Sequence, residues 1–429
     1  MRLLFVVLDG APDGFGVRSS LEVAFKPFID GLAGRGVCGV AYTVGRGVAP
    51  ESDVAVMSLL GYDPGVYYTG RGPLEALGAG VEFRDGDVAL RANFATVDPG
   101  SLRIIDRRAG RSLSSREARI LAEALDGMLL DGGRGVARFR ATIGHRGVLV
   151  LRHRDVRLEA DISNTDPAYE RVGRISHARR SYEPFIMKAV PLKDSPGARK
   201  AAEMVNEFTF KAIEILDRHP VNEERRRKGL LPANAVLLRD AGDSLPHAEP
   251  FRERFGFTMA SIVEMVVERG IAKALGLVDV KVDVEGVPKE EVLRREAETA
   301  ASLLNRYGGV YVHLKGPDEP GHDGDFEGKV RAIEMIDKYF FAALLDLIDP
   351  SNTVILLTSD HSTPWHLKAH SDDPVPLLVS HPSLPEGPGR FHEKACAEHN
   401  TLGTIERGHQ ILPTVLDYLK SRGLEIRDP

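Results

Sequence analysis

The chain has 429 residues, 43% hydrophobic and 28% charged, enough to bury a large core in two or three domains. Its formal charge of −6 comes without a basic block, which argues against a nucleic-acid partner. The only two cysteines, Cys38 and Cys396, sit in no CxxC, so neither a disulfide scaffold nor a Cys-based zinc site is expected, and a reducing compartment is.

In chain order, the first expected element is a buried strand, Leu3–Leu8. It is too short to span a membrane, ends in Asp9 and lacks a small-residue cleavage site, so a cytoplasmic protein without a membrane partner is expected. The segment APESDVAVMSLLGYDP places Ser52 where a helix opens. Its hydroxyl could carry a phosphoryl group, favoured by the free N–H groups of a helix start. The alternative is a plain helix cap, with Asp53 competing for that role. Next come YTGRGPLEALGAG with Arg71, RANFATVD with Arg91, and IIDRRAGR with Asp106, Arg107, Arg108 and Arg111. Arginine forks suit phosphate or carboxylate, although for any one of them surface ion pairing is the commoner role.

From about Leu90 to Arg180 the pattern is one of short strands (Arg138–Ile143, Val148–Leu151) and a helix near Glu117–Met128, the pattern of a smaller inserted α+β domain. Helical periodicity is read over Ala198–Leu216, Met259–Leu275 and Lys329–Leu347, and strands over Val310–Leu314, Thr353–Thr358 and Val375–Val379. Strands alternating with helices make the fold α/β, with a mostly parallel sheet flanked by helices. The expected domains are residues 1–80 and 191–429 as one discontinuous unit and 81–190 as the insertion. Glu386–Arg390 is expected as a surface loop.

Open α/β sheets bind ligands beyond the carboxyl ends of their strands. Here three expected strands run into Asp9, into KGPDEPGHDGD with Asp318 and His322, and into SDH with Asp360 and His361; His370 precedes a fourth. Pro317, Pro320 and Gly321 argue that a loop rather than a helix presents Asp318 and His322. A lone Asp after a strand is usually a turn residue, as Asp323, Asp325, Asp372 and Asp373 are read to be. Six carboxylate and imidazole groups at strand ends suit Mn²⁺, Zn²⁺ or Fe²⁺ better than Ca²⁺, and are enough for two ions about 3.5–4 Å apart that clamp a phosphoryl group. Lys315, beside this cluster, is read as a phosphate contact or a solvated lysine.

The segments VVLDG, ESDVAVMSLLGYDP, YTGRGPLEALGAGV, GDVALRANFATVD, IIDRRAGR, HLKGPDEPGHDGD and TSDHSTPWHLKAHSDDPVPLL resemble, in order and over nearly the whole chain, the archaeal type of cofactor-independent (2,3-bisphosphoglycerate-independent) phosphoglycerate mutase of the alkaline phosphatase superfamily. The resemblance implies an alkaline-phosphatase-like sheet and two divalent ions, Mn²⁺ foremost with Mg²⁺, Zn²⁺ or Co²⁺ as alternatives, and no 2,3-bisphosphoglycerate. Asp318, His322 and His370 would hold one ion; Asp9, Ser52, Asp360 and His361 the other. Ser52 would take the phosphoryl group from 3-phosphoglycerate and return it to the other hydroxyl of glycerate. Arg71, Arg91, Asp106, Arg107 and Lys315 would contact this small phosphorylated three-carbon acid, with two domains closing to exclude water.

The chain departs from the family pattern at Ser19-Ser20, Glu51, Asp240 and the segment DVEGVPKEE. These departures leave open a metal-dependent phosphatase or phosphotransferase acting on another metabolite. A non-catalytic metabolite-binding protein is the third reading.

Overall fold

All six residues from Leu3 to Leu8 are inaccessible to solvent. A strand apolar on both faces belongs inside a parallel sheet covered by helices. In the computed structural model, which describes residues 1–179, 181–284 and 286–429, Arg2–Leu8 lies inside an eight-stranded sheet. Arg180, the expected end of the inserted segment, and Glu285, within DVEGVPKEE, lie outside the described residues.

The sheet order is Val278–Val280, Met259–Ile262, Gly309–Leu314, Arg2–Leu8, Thr353–Thr358, Val375–Ser380, Gly36–Ala41, Thr404–Ile405. The first five strands are mutually parallel, and Val375–Ser380 is antiparallel to both neighbours. Leu8 pairs with Leu314, and Val7 with Thr358, so the three central strands end side by side. This register brings Asp9, Lys315 and Asp360 to one edge. The antiparallel Val375–Ser380 starts at the same edge, and His370 precedes it. The α/β reading with a mostly parallel sheet describes this unit.

Two compact units divide the chain: Met1–Tyr68 with His247–Pro429, and Thr69–Pro246. The expected boundaries at 81 and 190 therefore differ from those observed. The reason is non-local: Ala235–Gly242 pairs antiparallel with Val88–Asp98, and helix Pro196–Asp217 buries Ala198, Ala202, Val205, Phe208 and Ala212 in the same core as Leu90 and Phe94. Antiparallel pairing continues from Val88–Asp98 through Arg146–His153 and Gly135–Ala141 to Met128–Leu130. The predicted helix near Glu117–Met128 is Ser115–Glu123, started by a Ser114–Glu117 capping box.

Two local expectations need correction. Met259–Leu275 is not one helix but strand Met259–Ile262 followed by helix Val266–Ala274. All four strand residues are buried in the sheet, and the Glu268 carboxylate accepts the Met265 N–H at 3.2 Å to start the helix after them. Asp318 and His322 are presented by a short helix, Asp318–Asp323, rather than by a loop. Pro320 falls in its first turn, where a missing N–H costs little. Lys329–Leu347 is helical throughout, as Phe326–Ile336, a π-turn Asp337–Phe341, and Ala342–Leu347. Among the described residues no helix is long and apolar enough to cross a membrane.

Candidate metal centre

The sheet edge of the first unit gathers two clusters of carboxylate and imidazole groups. In the first, Asp318 Oδ1 lies 3.4 Å from His322 Nε2 and 3.4 Å from His370 Nε2. Each imidazole turns its Nδ1 to a backbone carbonyl, His370 to Pro50 at 2.7 Å and His322 to Lys368 at 3.3 Å. A carbonyl only accepts, so Nδ1 carries the proton and the Nε2 lone pair faces Asp318. The short helix fits closely here: a Cβ on Gly321 would lie 2.6 Å from the Thr363 carbonyl.

In the second cluster, each carboxylate has one oxygen engaged and one left over. Asp360 Oδ1 accepts N–H groups from Gly10 and His361, both at 3.1 Å. Asp9 Oδ2 receives Lys315 Nζ at 3.0 Å. The remaining atoms, Asp360 Oδ2 and Asp9 Oδ1, are buried without a hydrogen-bond partner. They converge on His361 Nε2, at 3.1 and 3.4 Å respectively. Ser52 Oγ lies 3.1 Å from that same nitrogen. Gly10, at φ +60°, allows this convergence, since a Cβ there would approach Asp318 and Thr363 to within 2.7 and 2.6 Å.

Thr363 joins the clusters. Its hydroxyl donates to Asp318 Oδ1 at 2.7 Å and therefore accepts from His361 Nδ1 at 3.0 Å. This places a proton on His361 Nδ1 and turns Nε2 toward Asp9, Asp360 and Ser52. Although His361 Nδ1 also comes within 4.0 Å of Asp318, that nitrogen is occupied by Thr363, and His361 belongs with the second cluster.

Electrostatics here favour a cation. Burial opposes ionisation of Asp360, yet the His361 and His313 imidazoles hold it well below the usual carboxylate range. Burial likewise opposes charge on His361, but Asp360 and Asp9 outweigh it and push the imidazole up to about 10. Clustered carboxylates thus demand positive charge, which protons supply when nothing else does. Carboxylate oxygens with imidazole nitrogens form a donor set suited to first-row divalent ions. The partnerless oxygens mark where an ion would fit.

Ser52 is the first residue of helix Ser52–Leu59, and Glu51 is its cap, without a side-chain bond. Asp53 accepts from the Tyr68 hydroxyl at 2.6 Å and from the Val54 N–H at 2.9 Å. The Ser52 hydroxyl is thus left for His361 rather than for capping. Lys315 is not a solvated lysine; Glu268 Oε1 holds its ammonium at 2.5 Å alongside Asp9. Trp365 packs edge-on against Phe326, and Asp325 caps the helix that begins at Phe326.

Arg71, Arg91, Asp106 and Arg107 belong to the Thr69–Pro246 unit. Arg91 stands directly opposite Arg239 in the antiparallel register, and Asn93 opposite Arg146. Like charges paired across strands are destabilising. Asp166, fully buried, offsets part of this by accepting Arg239 at 2.9 Å and Arg107 as a two-pronged pair at 3.0 and 2.5 Å. Burial, with Arg71 and Arg239 nearby, pushes Arg91 down to about 9. Burial, with Arg146, Arg108, Arg91 and Arg111 nearby, pushes His145 down to about 4. An anionic ligand would relieve this excess charge. Asp106, Arg107, Arg108 and Arg111 line a cavity of about 410 Å³ together with Tyr182. Asp240, one of the departures from the family pattern, holds φ +58°, a conformation that favours glycine.

Sequence reading did not single out His313, Glu268, Thr363, Asp166 or Arg239. Thr363 stood inside the quoted segment TSDHSTPWHLKAHSDDPVPLL and His313 at the head of HLKGPDEPGHDGD; Glu268, Asp166 and Arg239 have no local signature.

A family model described as 2,3-bisphosphoglycerate-independent phosphoglycerate mutase matches residues 33–222. A protein of that description from Aeropyrum pernix is 60% identical over 424 residues, covering 98% of this chain and 100% of the relative. The chain belongs to the 2,3-bisphosphoglycerate-independent phosphoglycerate mutase family. A family member from Methanopyrus kandleri is 40% identical with 98% of each chain covered. Among solved structures, a Pyrococcus horikoshii protein superposes with a TM-score of 0.77 at 30% identity, covering 98% of this chain and 97% of the other. A cofactor-independent phosphoglycerate mutase from Thermoplasma acidophilum gives 0.63 at 30% identity, with 96% and 98% covered.

Proposed function

We propose that this chain interconverts 2- and 3-phosphoglycerate without 2,3-bisphosphoglycerate, using Ser52 as the phosphoryl carrier. The observation that carries the residue assignment is the convergence of Ser52 Oγ, His361 Nε2, Asp9 Oδ1 and Asp360 Oδ2 in a buried cluster. Asp9, Ser52, Asp360 and His361 would hold one divalent ion, and Asp318, His322 and His370 the other. When bound, such ions supply charge neutralisation for a phosphoryl group and lower the pKa of a coordinated hydroxyl.

Ser52 loses its hydroxyl proton and Oγ bonds to phosphorus. The bond from phosphorus to the glycerate O3 breaks, O3 takes up a proton, and phosphoserine remains. In the second half, O2 of glycerate loses its proton and attacks the same phosphorus. The Oγ–P bond breaks, and Ser52 regains its proton. Thr363, bonded to His361 Nδ1, keeps Nε2 turned toward Asp9, Asp360 and Ser52 throughout. The arginine cluster containing Arg71, Arg91, Arg107 and Arg239, with Asp106 ordering its loop by accepting the Arg108 N–H at 2.7 Å, matches the charge of a phosphorylated acid. Lys315 offsets the charge of Asp9 rather than standing free for phosphate.

The test is an assay of purified protein with 3-phosphoglycerate and Mn²⁺, following 2-phosphoglycerate and free phosphate together. Formation of 2-phosphoglycerate with little phosphate supports the proposal. Phosphate as the main product would overturn it in favour of a phosphatase.

A further inference from the structure

His313 lies in the strand Gly309–Leu314, is fully buried, and is not among the groups the proposed mechanism uses. Its Nε2 is a third buried atom without a hydrogen-bond partner, beside Asp9 Oδ1 and Asp360 Oδ2. It stands 3.5 Å from Asp360 Oδ2 and 3.9 Å from Asp9 Oδ1. N–H···O hydrogen bonds run about 2.7–3.2 Å, so these contacts are too long to be bonds. Donors sharing one ion, each about 2.0–2.2 Å from it, are separated by roughly 3–4 Å, which is the spacing seen.

The other nitrogen points away from the cluster. His313 Nδ1 faces Glu268 Oε1 at 3.5 Å and the Tyr311 hydroxyl at 3.4 Å. Glu268 is itself buried, held by Lys315 and the Met265 N–H. At 3.5 Å Glu268 is no more a hydrogen-bond partner than Asp360 is, but its charge behind the imidazole favours the proton on Nδ1 once a cation takes the Nε2 side, which leaves Nε2 as a donor to metal. In that tautomer three acceptor atoms would face one another, which is stable only with a cation among them.

We propose that His313 is a further protein ligand of the divalent ion held by Asp9 and Asp360, with Glu268 as the residue that positions it. This rests on the two-ion reading above. It makes the donors at this ion Asp9, Ser52, Asp360, His361 and His313. Five protein donors exceed a tetrahedral shell and select an ion that accepts five or six ligands, such as Mn²⁺ or Co²⁺, over tetrahedral Zn²⁺.

The experiment is equilibrium dialysis of Mn²⁺ against wild type, His313→Gln and Glu268→Gln. Wild type should bind two ions, and each variant should weaken one of the two by about 10–100-fold while leaving the other unchanged. Two ions bound with wild-type affinity in both variants would overturn the role of His313 and leave the two-ion reading standing. No binding to wild type would overturn both. Should His313→Gln fail to fold by circular dichroism, Co²⁺-loaded wild type and Glu268→Gln are compared by proton NMR. A hyperfine-shifted, exchangeable imidazole N–H that moves in Glu268→Gln supports the proposal, and unchanged shifted resonances contradict it.

Discussion

Ser52 Oγ and His361 Nε2 are 3.1 Å apart although they lie 309 positions apart in sequence. Helix start and strand end meet there because Ser52 opens its helix without capping it, and Thr363 holds His361 from the far side. Ser52→Ala removes the oxygen proposed as phosphoryl carrier and little packing. It should lower mutase turnover by at least about a thousandfold, as loss of a nucleophile does, with the thermal transition unchanged. Coupled-assay kinetics and calorimetry check this, and an active Ser52→Ala enzyme would exclude the carrier role.

Thr363 provides a second test. Thr363→Val keeps the shape but removes the hydroxyl that bonds Asp318 and His361. Activity at saturating Mn²⁺ should fall about 10–100-fold, and Thr363→Ser should restore most of it. Equal loss in both variants would point to packing rather than the hydroxyl.

What could be read from the chain follows the range of the forces involved. That Asp9 and Asp360 share one sheet edge was legible because a strand buried on both faces is a continuous apolar run whose end shows in the sequence. His313 breaks the apolar run Val310–Leu314, but its partners, Glu268 and Asp360, come from distant segments, so the sequence did not show what it faces. The reading of Met259–Leu275 as one helix failed where apolar residues of strand and helix followed each other without a break. The inserted domain was underestimated at its C-terminal end because only the pairing of Arg239 with Arg91, across 147 intervening residues, reveals that the strand Ala235–Gly242 belongs there.

Asp166 tests the second unit. It is fully buried and accepts both Arg107 and Arg239. Asp166→Asn keeps the size but leaves two guanidinium groups without their counter-charge. Breaking a buried pair in this way costs about 3–5 kcal/mol. A clear drop in melting temperature is expected, together with a raised KM. An unchanged melting temperature would show that the pair is dispensable.

Asp337 gives the fold a pH dependence. Its carboxyl accepts the N–H groups of Phe28 and Ile29, and burial pushes it up to about 6. An unfolded Asp titrates near about 3.9, so between those values the folded chain binds the extra proton. Stability from this group is therefore present at low pH and lost as pH rises through about 6. Asp337→Asn retains an accepting oxygen without the charge. Its melting temperature relative to wild type should rise from pH 4 to pH 7; a difference independent of pH would contradict the assignment.

The central claim is that the phosphoryl group passes through Ser52. Enzyme mixed with 3-phosphoglycerate and Mn²⁺, quenched in acid and digested, should yield the Ser52 peptide carrying one phosphoryl group, absent without substrate. Turnover with that peptide unmodified, or with the phosphoryl group on another residue, would contradict the account.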